Sequence, residues 1–155
     1  MKKIDSILDV LFWAADQAHL WHLQTKSKTA HGILKDFYEE VREDMDDIAE
    51  CYMGETGKAL SIKQGPKLSN LESDVEIVGL MEKTCGYLRD VAKEMSGTST
   101  ARCAEDLIDD IVAIKYKLRF LDDAPSPAVE KKEEKEEKTE KPQSKSYIDK
   151  LLNRA

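Results

Sequence analysis

Apolar side chains recur every three or four residues in four stretches of the chain, which is the spacing of amphipathic α-helices. The stretches cover residues 4–18, 34–52, 71–95 and 107–121. The alternation of apolar and polar residues that is typical of half-buried strands is absent from the sequence. The pattern therefore predicts an all-α domain, a four-helix bundle over residues 1–123.

The predicted helices are joined by two tight connections and one long one, near residues 25–28, 96–99 and 55–68 respectively. A long middle connection is what a bundle needs if its second and third helices run in the same direction. Ser69, with Glu72 three residues later, forms a capping box that predicts the start of the third helix. Ser99 or Thr100, just behind Gly97, is the predicted cap of the fourth helix.

The last part of the chain differs from the rest in composition. Residues 124–145 consist mainly of Lys, Glu, Pro and Ser, and they cannot bury enough apolar surface to offset the entropy of an ordered chain. We therefore expect a disordered linker, followed at residues 146–155 by a short amphipathic peptide. Four residues form its apolar face and are the candidates for binding a protein partner: Tyr147, Ile148, Leu151 and Leu152.

The charge of the chain is unevenly distributed. The formal net charge is −7, but residues 124–155 carry 8 basic and 7 acidic residues, so the negative charge belongs to the predicted bundle. An acidic chain without a dense basic arm is poorly suited to binding DNA, because that binding depends on the neutralisation of phosphates. The composition thus argues against DNA as a partner.

The sequence also predicts the cellular compartment of the protein. No apolar run reaches the ~18–20 residues that span a bilayer, and no basic-then-apolar leader opens the chain, so we expect a cytoplasmic protein without a membrane partner. The three cysteines, at positions 51, 85 and 103, have neither metal-type nor redox-type spacing, and their odd number fits a reducing compartment. We expect all three to be small buried residues.

All three histidines of the chain lie within thirteen residues. His19 and His22 fall at the end of the first predicted helix and His31 at the start of the second, so the tight turn between the helices should bring them to one level of the bundle. Each points at or beside the apolar stripe. Two interpretations stay open: hydrogen-bonded structural histidines, or a group of imidazole ligands for a metal ion.

Asp46 and Glu50 are four residues apart on one side of the second helix, where they are either part of a solvated acidic face or metal ligands. Asp46 follows His31 by fifteen residues, which is about 22 Å along a helix, so one chain cannot bring both to one metal ion. A second copy packed across a two-fold axis would place these carboxylates opposite the histidines. Otherwise they must find partners on the third and fourth helices, where the available acidic residues are Glu82, Glu105, Asp109 and Asp110.

The intervals between these residues resemble those of the Dps family of ferritin-like proteins. His19 is followed by His31 after twelve residues, then by Asp46 after fifteen and Glu50 after four. The last two lie in the run DDIAE, which is similar to the D-x-x-A-E run of that family. The resemblance covers the first two helices in detail, whereas the third and fourth are similar only in length and character.

The resemblance implies a ferritin-like four-helix bundle that assembles into a hollow homo-oligomer, binds iron, and oxidises Fe(II) with oxygen or peroxide. The site would lie between two subunits, and the implied metal ligands are His19, His31, Asp46 and Glu50. The sequence departs from the family's pattern at Lys35, where that family usually has an aspartate. The extra His22 is a candidate to replace the missing ligand.

A function of another class fits the same sequence. The protein could be a non-catalytic assembly or adaptor protein, in which the bundle is a scaffold and the peptide 146–155 docks as a helix into a partner's groove. Other catalytic templates, such as a Gly-rich phosphate loop or a nucleophile elbow, are absent. The sequence thus leaves two hypotheses, an iron-binding ferritin-like bundle and an adaptor.

Overall fold

The computed structural model of the protein describes residues 3–63 and 67–120. These residues form one 3₁₀ turn and four α-helices and contain no strand, which confirms the all-α prediction for the described part of the chain. The elements are the turn Ile4–Ser6, α1 (Ile7–Gln24), α2 (Lys28–Thr56), α3 (Val75–Glu94) and α4 (Ser99–Phe120). None of these helices combines the length and the apolar character needed to cross a membrane.

The predictions for the end of the chain fall outside the described residues. They concern the linker 124–145 and the peptide 146–155, including its apolar positions Tyr147, Ile148, Leu151 and Leu152. All of these stay predictions.

The four helices pack around one apolar core. α1 packs against α2, α2 against α4, α4 against α3, and α3 closes the ring against α1. The largest fully buried side chains come from all four helices and include Leu11, Phe37, Ile48, Met81, Leu88 and Ile111. The described helices therefore form a bundle, and the helical spacing of the apolar residues identified its core.

Helices α2 and α3 run in the same direction. α1 and α2 are antiparallel, since a three-residue turn joins them and Arg42 of α2 forms an ion pair with Asp16 of α1 at 2.9 Å. α3 is also antiparallel to α1, because Glu94 at its end accepts a hydrogen bond from the backbone N–H of Lys3. The connection between α2 and α3 is therefore a crossover from one end of the bundle to the other, which explains its length.

The described residues of this crossover lie along α1. Its backbone N–H groups donate to α1 side chains at three successive levels: Lys63 to Asp9, Ser69 to Gln17 and Leu71 to Gln24. The amide group of Gln17, which is only 1% exposed, also donates to the carbonyl of Ser69 at 2.7 Å. The indole of Trp21 donates to the same carbonyl at 2.8 Å. The buried amide of Gln17 therefore has its hydrogen-bond partners in the crossover, and the same bonds attach the crossover to α1 at Ser69.

The third helix begins later than the sequence predicts. The capping box of Ser69 and Glu72 is wrong, because α3 begins only at Val75 and its N-cap residue, Asp74, makes no side-chain capping hydrogen bond. The carboxylate of Glu76 accepts hydrogen bonds from the N–H groups of Glu72 and Ser73. Ser69 lies in the crossover, too far before Val75 to cap the helix, and its N–H and carbonyl are bonded to Gln17 of α1 instead. Val75, a member of the predicted apolar stripe, is 79% exposed.

The start of α4 also differs from the prediction. The hydroxyl of Thr98 accepts a hydrogen bond from the N–H of Ala101 at 3.2 Å, so Thr98 rather than Ser99 or Thr100 caps the helix. Glu55, near the end of α2, accepts hydrogen bonds from the N–H of Ser99 and from the N–H and hydroxyl of Thr100. A carboxylate from another helix therefore completes the cap, and it ties α2 to α4.

These hydrogen bonds lead to a pH-dependent prediction for Glu55. The hydroxyl of Thr100, followed by the N–H of Ser99, lowers the pKa of Glu55 from 4.5 to about 2. The ionised form is thus favoured in the folded state, and its stabilising effect is complete above pH 4.5 and is lost as the pH falls towards 2. We expect Glu55→Gln to lower the unfolding temperature at pH 7, and to do so less and less below pH 4.5.

Thermal unfolding followed by circular dichroism between pH 7 and pH 3 checks this prediction. Glu50→Gln is the matched control, because Glu50 is exposed on the same helix. If the unfolding temperatures of the wild type and of Glu55→Gln differ by the same amount over the whole pH range, the ionised carboxylate does not have this role.

Candidate functional site

The turn between α1 and α2 brings two histidines into contact. Ser27 caps α2 by accepting a hydrogen bond from the N–H of Ala30. The rings of His22 and His31 then stack, with their centroids 3.7 Å apart. Nδ1 of His22 lies 2.8 Å from the carbonyl oxygen of His31, and Nδ1 of His31 lies 2.9 Å from the carbonyl oxygen of His22. Since a carbonyl only accepts, both Nδ1 atoms carry the proton and donate.

His19 belongs to the same aromatic group. Its ring stacks on Tyr38 at 4.5 Å and lies 6.1 Å from the ring of His22, while the guanidinium of Arg42 lies 5.4 Å from the centre of the Tyr38 ring. The three histidines are therefore close to one another, but no set of three ligand atoms that converge in the described residues includes a histidine. One chain alone thus gives them contacts typical of structural histidines.

The predicted carboxylate ligands lie elsewhere on α2. Asp46 and Glu50 are both exposed, and α2 is continuous from Lys28 to Thr56, so His31 and Asp46 are about 22 Å apart along one helix. Lys35, at the position where the Dps family usually has an aspartate, forms an exposed ion pair with Glu39 at 3.8 Å. A single chain therefore does not bring the histidines and these carboxylates together.

A different group of carboxylates converges between α2 and α4. Glu40 and Asp44 of α2 meet Asp110 of α4, and one oxygen from each lies within 4.8 Å of the others. We call these three residues the carboxylate cluster. One oxygen of Asp44, Oδ2, is buried and has no hydrogen-bond partner in the described residues. Glu40 and Asp110 line a cleft of about 350 Å³. Lys117 and Asp36 also line this cleft and form an ion pair at 3.1 Å.

Two carboxyl groups of the carboxylate cluster, those of Asp44 and Glu40, have raised pKa values. Burial, and then the charges of Glu40 and Asp110, raise the pKa of Asp44 from 3.8 to about 6. Burial and the charge of Asp110 likewise raise the pKa of Glu40 above its usual 4.5, although Lys117 opposes this shift. Negative charge is therefore concentrated here without an equal number of cations to balance it.

Sequence reasoning identified only part of this cluster. The sequence predicts Asp110 as an available partner for Asp46 and Glu50 of α2, whereas in the structure Asp110 meets Glu40 and Asp44. The missed signal is that Glu40 and Asp44 are also four residues apart in the same acidic run. They lie on the side of α2 that packs against α4, whereas Asp46 and Glu50 face away from the bundle.

The cysteine prediction is wrong for two of the three residues. Cys85 is buried, as expected, at 2% exposure. Cys51 of α2 and Cys103 of α4 are half-buried, and their sulfur atoms lie 3.1 Å apart. Their positions along the chain could not reveal this pair, because only the antiparallel packing of α2 and α4 brings residues so distant in the sequence together.

Comparison with known proteins places the chain in a family. Residues 22–120 match the model of DUF5856, which is described as a family of unknown function. The chain belongs to DUF5856. No curated protein and no solved structure matches it. The part that matches DUF5856 contains the carboxylate cluster, the Cys51–Cys103 pair, Asp46 and Glu50, and it leaves out His19.

Proposed function

We propose that this DUF5856 protein is a metal-binding four-helix bundle whose site is the carboxylate cluster. The observation that carries the proposal is the buried Oδ2 of Asp44, which has no hydrogen-bond donor among the described residues and lies beside two further carboxylates. A buried charged oxygen without a partner is unfavourable, and a cation is the partner that compensates for it. The site would stabilise the packing of α2 against α4.

The donor set indicates the class of metal. Glu40, Asp44 and Asp110 offer only carboxylate oxygens, which suit hard cations such as Mg²⁺, Ca²⁺ and Mn²⁺. The mixed set of histidines and carboxylates that the Dps resemblance implies for iron is not the set of this cluster. A ferritin-like identity of the bundle is supported by the single long crossover and the parallel α2 and α3.

The proposal is tested by thermal unfolding of the full chain with and without Mn²⁺. At pH 7.5 we expect Mn²⁺ to raise the unfolding temperature of the wild type by about 3–5 °C, because the ion binds only the folded state. At pH 4, below the pKa of about 6 of Asp44 in the folded protein, we expect no increase, because the protonated carboxyl does not bind the ion.

The variant Asp44→Asn distinguishes Mn²⁺ binding at the carboxylate cluster from a general effect of metal ions on stability. The pKa of Asp44 is higher in the folded state than the ordinary value of 3.8, so its ionisation costs stability as the pH rises from 3.8 through about 6. We expect Asp44→Asn to raise the metal-free unfolding temperature at pH 7.5 by about 3 °C and to abolish the response to Mn²⁺. Glu105→Gln, a control at an exposed carboxylate of α4 that belongs to neither candidate metal site, should leave both unchanged. A full Mn²⁺ response in Asp44→Asn would refute the proposal.

We also propose Fe(II) oxidation between two copies of the chain as a second candidate function. It is favoured by the exposure of His31, Asp46 and Glu50, which leaves these residues accessible to a second copy. In a neutral imidazole whose Nδ1 donates to a carbonyl, as in His22 and His31, Nε2 is the atom that can bind a metal. The ligands would be the set that the sequence predicts, His19, His31, Asp46 and Glu50 with His22.

An Fe(II)-oxidation assay combined with a solution mass tests this second function. We expect an oligomer of at least two chains, and a rate of Fe(II) oxidation that falls at least tenfold in His31→Ala. Equal rates at background level in both proteins, or a monomeric wild type, would rule it out.

The adaptor hypothesis has its own supporting observation. Val112, Tyr116 and Phe120 follow one another at four-residue spacing on α4, and they are 42%, 55% and 67% exposed. An apolar strip of this kind on a helix is typical of a surface that binds another protein. A pull-down experiment tests the adaptor hypothesis. It compares the amount of partner captured by the full chain, by a chain without residues 146–155 and by the Tyr116→Ser variant. Equal capture by all three proteins would contradict the hypothesis.

A further inference from the structure

The sulfur atoms of Cys51 and Cys103 lie on facing sides of two antiparallel helices. They are 3.1 Å apart, about 1 Å more than the ~2.05 Å of a disulfide bond. Both cysteines are free thiols and both are half-buried rather than enclosed, so a small reagent can reach them. The third cysteine of the chain, Cys85, is buried on α3 and provides an internal comparison.

We propose that Cys51 and Cys103 form a redox-modification site, in which a low-molecular-weight disulfide converts the two thiols into an intramolecular bond between α2 and α4. The Cys51 thiolate attacks one sulfur of the small disulfide, which releases one small thiol and leaves a mixed disulfide on Cys51. The Cys103 thiolate then attacks the Cys51 sulfur and releases the second small thiol. The two protein thiols are oxidised, the small disulfide is reduced to two thiols, and the two protons pass to them.

The surroundings of the pair decide the order of these steps. Burial raises the pKa of the Cys103 thiol, and the hydrogen bond with Cys51 and the charges of Asp47 and Asp106 raise it further. Cys103 therefore ionises less readily than an ordinary thiol, which disfavours it as the first nucleophile. The same acidic residues disfavour negatively charged reagents, so a neutral disulfide should react faster than an anionic one such as oxidised glutathione.

The neighbouring contacts hold the two sulfurs in place. One turn further along, Glu55 binds the first residues of α4, so the helices cannot separate at this end without breaking these hydrogen bonds. The bond would close a long loop that includes the crossover and α3, and closing long loops restricts the unfolded chain most. We therefore expect the oxidised protein to unfold at a temperature roughly 5–15 °C higher than the reduced protein.

The experiment treats the folded, full-length protein with 2-hydroxyethyl disulfide, a neutral reagent. The protein is then denatured in the presence of an alkylating reagent, so that the buried Cys85 also reacts. We expect an intact mass lower by two hydrogens before alkylation, one alkylated cysteine, and a linked peptide pair that contains Cys51 and Cys103. Dithiothreitol should reverse both the link and the increase in unfolding temperature. Oxidised glutathione at the same concentration should give the same link more slowly.

Three variants complete the test. Cys85→Ser should still form the link, whereas Cys51→Ser and Cys103→Ser should show neither the loss of two hydrogens nor the higher unfolding temperature. The linked peptide in the wild type is measured without any variant, so a variant that fails to fold does not decide the outcome. Alkylation of both Cys51 and Cys103 after treatment of the wild type, or links only between chains, would overturn the proposal.

Discussion

Replacing Phe37 by alanine is expected to lower the free energy of unfolding by about 3–5 kcal/mol. Phe37 is the largest of the fully buried side chains, at 0% exposure, and it lies on α2 between the histidine group and the carboxylate cluster. The alanine variant loses the transfer free energy of the ring and leaves a cavity that the packed helices fill only in part. Denaturation by urea, followed by circular dichroism, measures the effect.

Phe120→Ala is the matched control for this prediction. Phe120 lies on α4, is 67% exposed and stacks on Tyr116 with the ring centroids 5.0 Å apart. We expect its removal to change the free energy of unfolding by less than about 0.5 kcal/mol. Equal losses in the two variants would show that the core is not where the structure places it.

Gln17→Ala is expected to lower the free energy of unfolding by about 2–4 kcal/mol. The substitution leaves the N–H of Ser69 without its acceptor and removes one of the two donors to the Ser69 carbonyl. It also creates a small cavity at a position that is only 1% exposed. Because the crossover is attached to α1 at this level, we expect faster hydrogen exchange at residues 67–73 as well.

Gln24→Ala is the control, since Gln24 makes similar bonds at the exposed end of α1. Its side chain accepts from the N–H of Leu71 and donates to Asn70. Water replaces these partners, so we expect a loss below about 1 kcal/mol. Urea denaturation measures the free energy of unfolding of both variants. A decrease in Gln24→Ala as large as that in Gln17→Ala would contradict the role of burial.

Much of the fold could be predicted from the sequence because helical periodicity is a local property. The spacing of apolar residues identified four helices, and the length of the middle connection indicated that α2 and α3 run in the same direction. The residues at which the helices begin are harder to predict from the sequence. Ser69 has the right residue type for a cap, but Gln17, 52 positions away, takes its peptide groups. No local pattern carries that information.

The candidate sites show the same distinction between local contacts, which the sequence predicts, and long-range contacts, which it does not. His22 and His31 are nine residues apart across a tight turn, so their proximity could be predicted. The meeting of Asp44 with Asp110, and of Cys51 with Cys103, depends on the register of α2 against α4, which the crossover separates in the chain. The intervals between residues favour Asp46 over Asp44 as a ligand, but intervals do not say which side of a helix packs against a neighbouring helix.

The crossover has a consequence for the order in which the protein folds. The α1–α2 and α3–α4 pairs are each joined by a tight connection, so their contacts are local in sequence. The α2–α4 contacts span much longer separations, such as the 52 positions between Cys51 and Cys103, and closing such loops slows the formation of a contact. We therefore expect two helical hairpins to form early and to dock late. The carboxylate cluster and the cysteine pair would then exist only in the docked state, so metal binding and thiol oxidation would both report on the last step of folding.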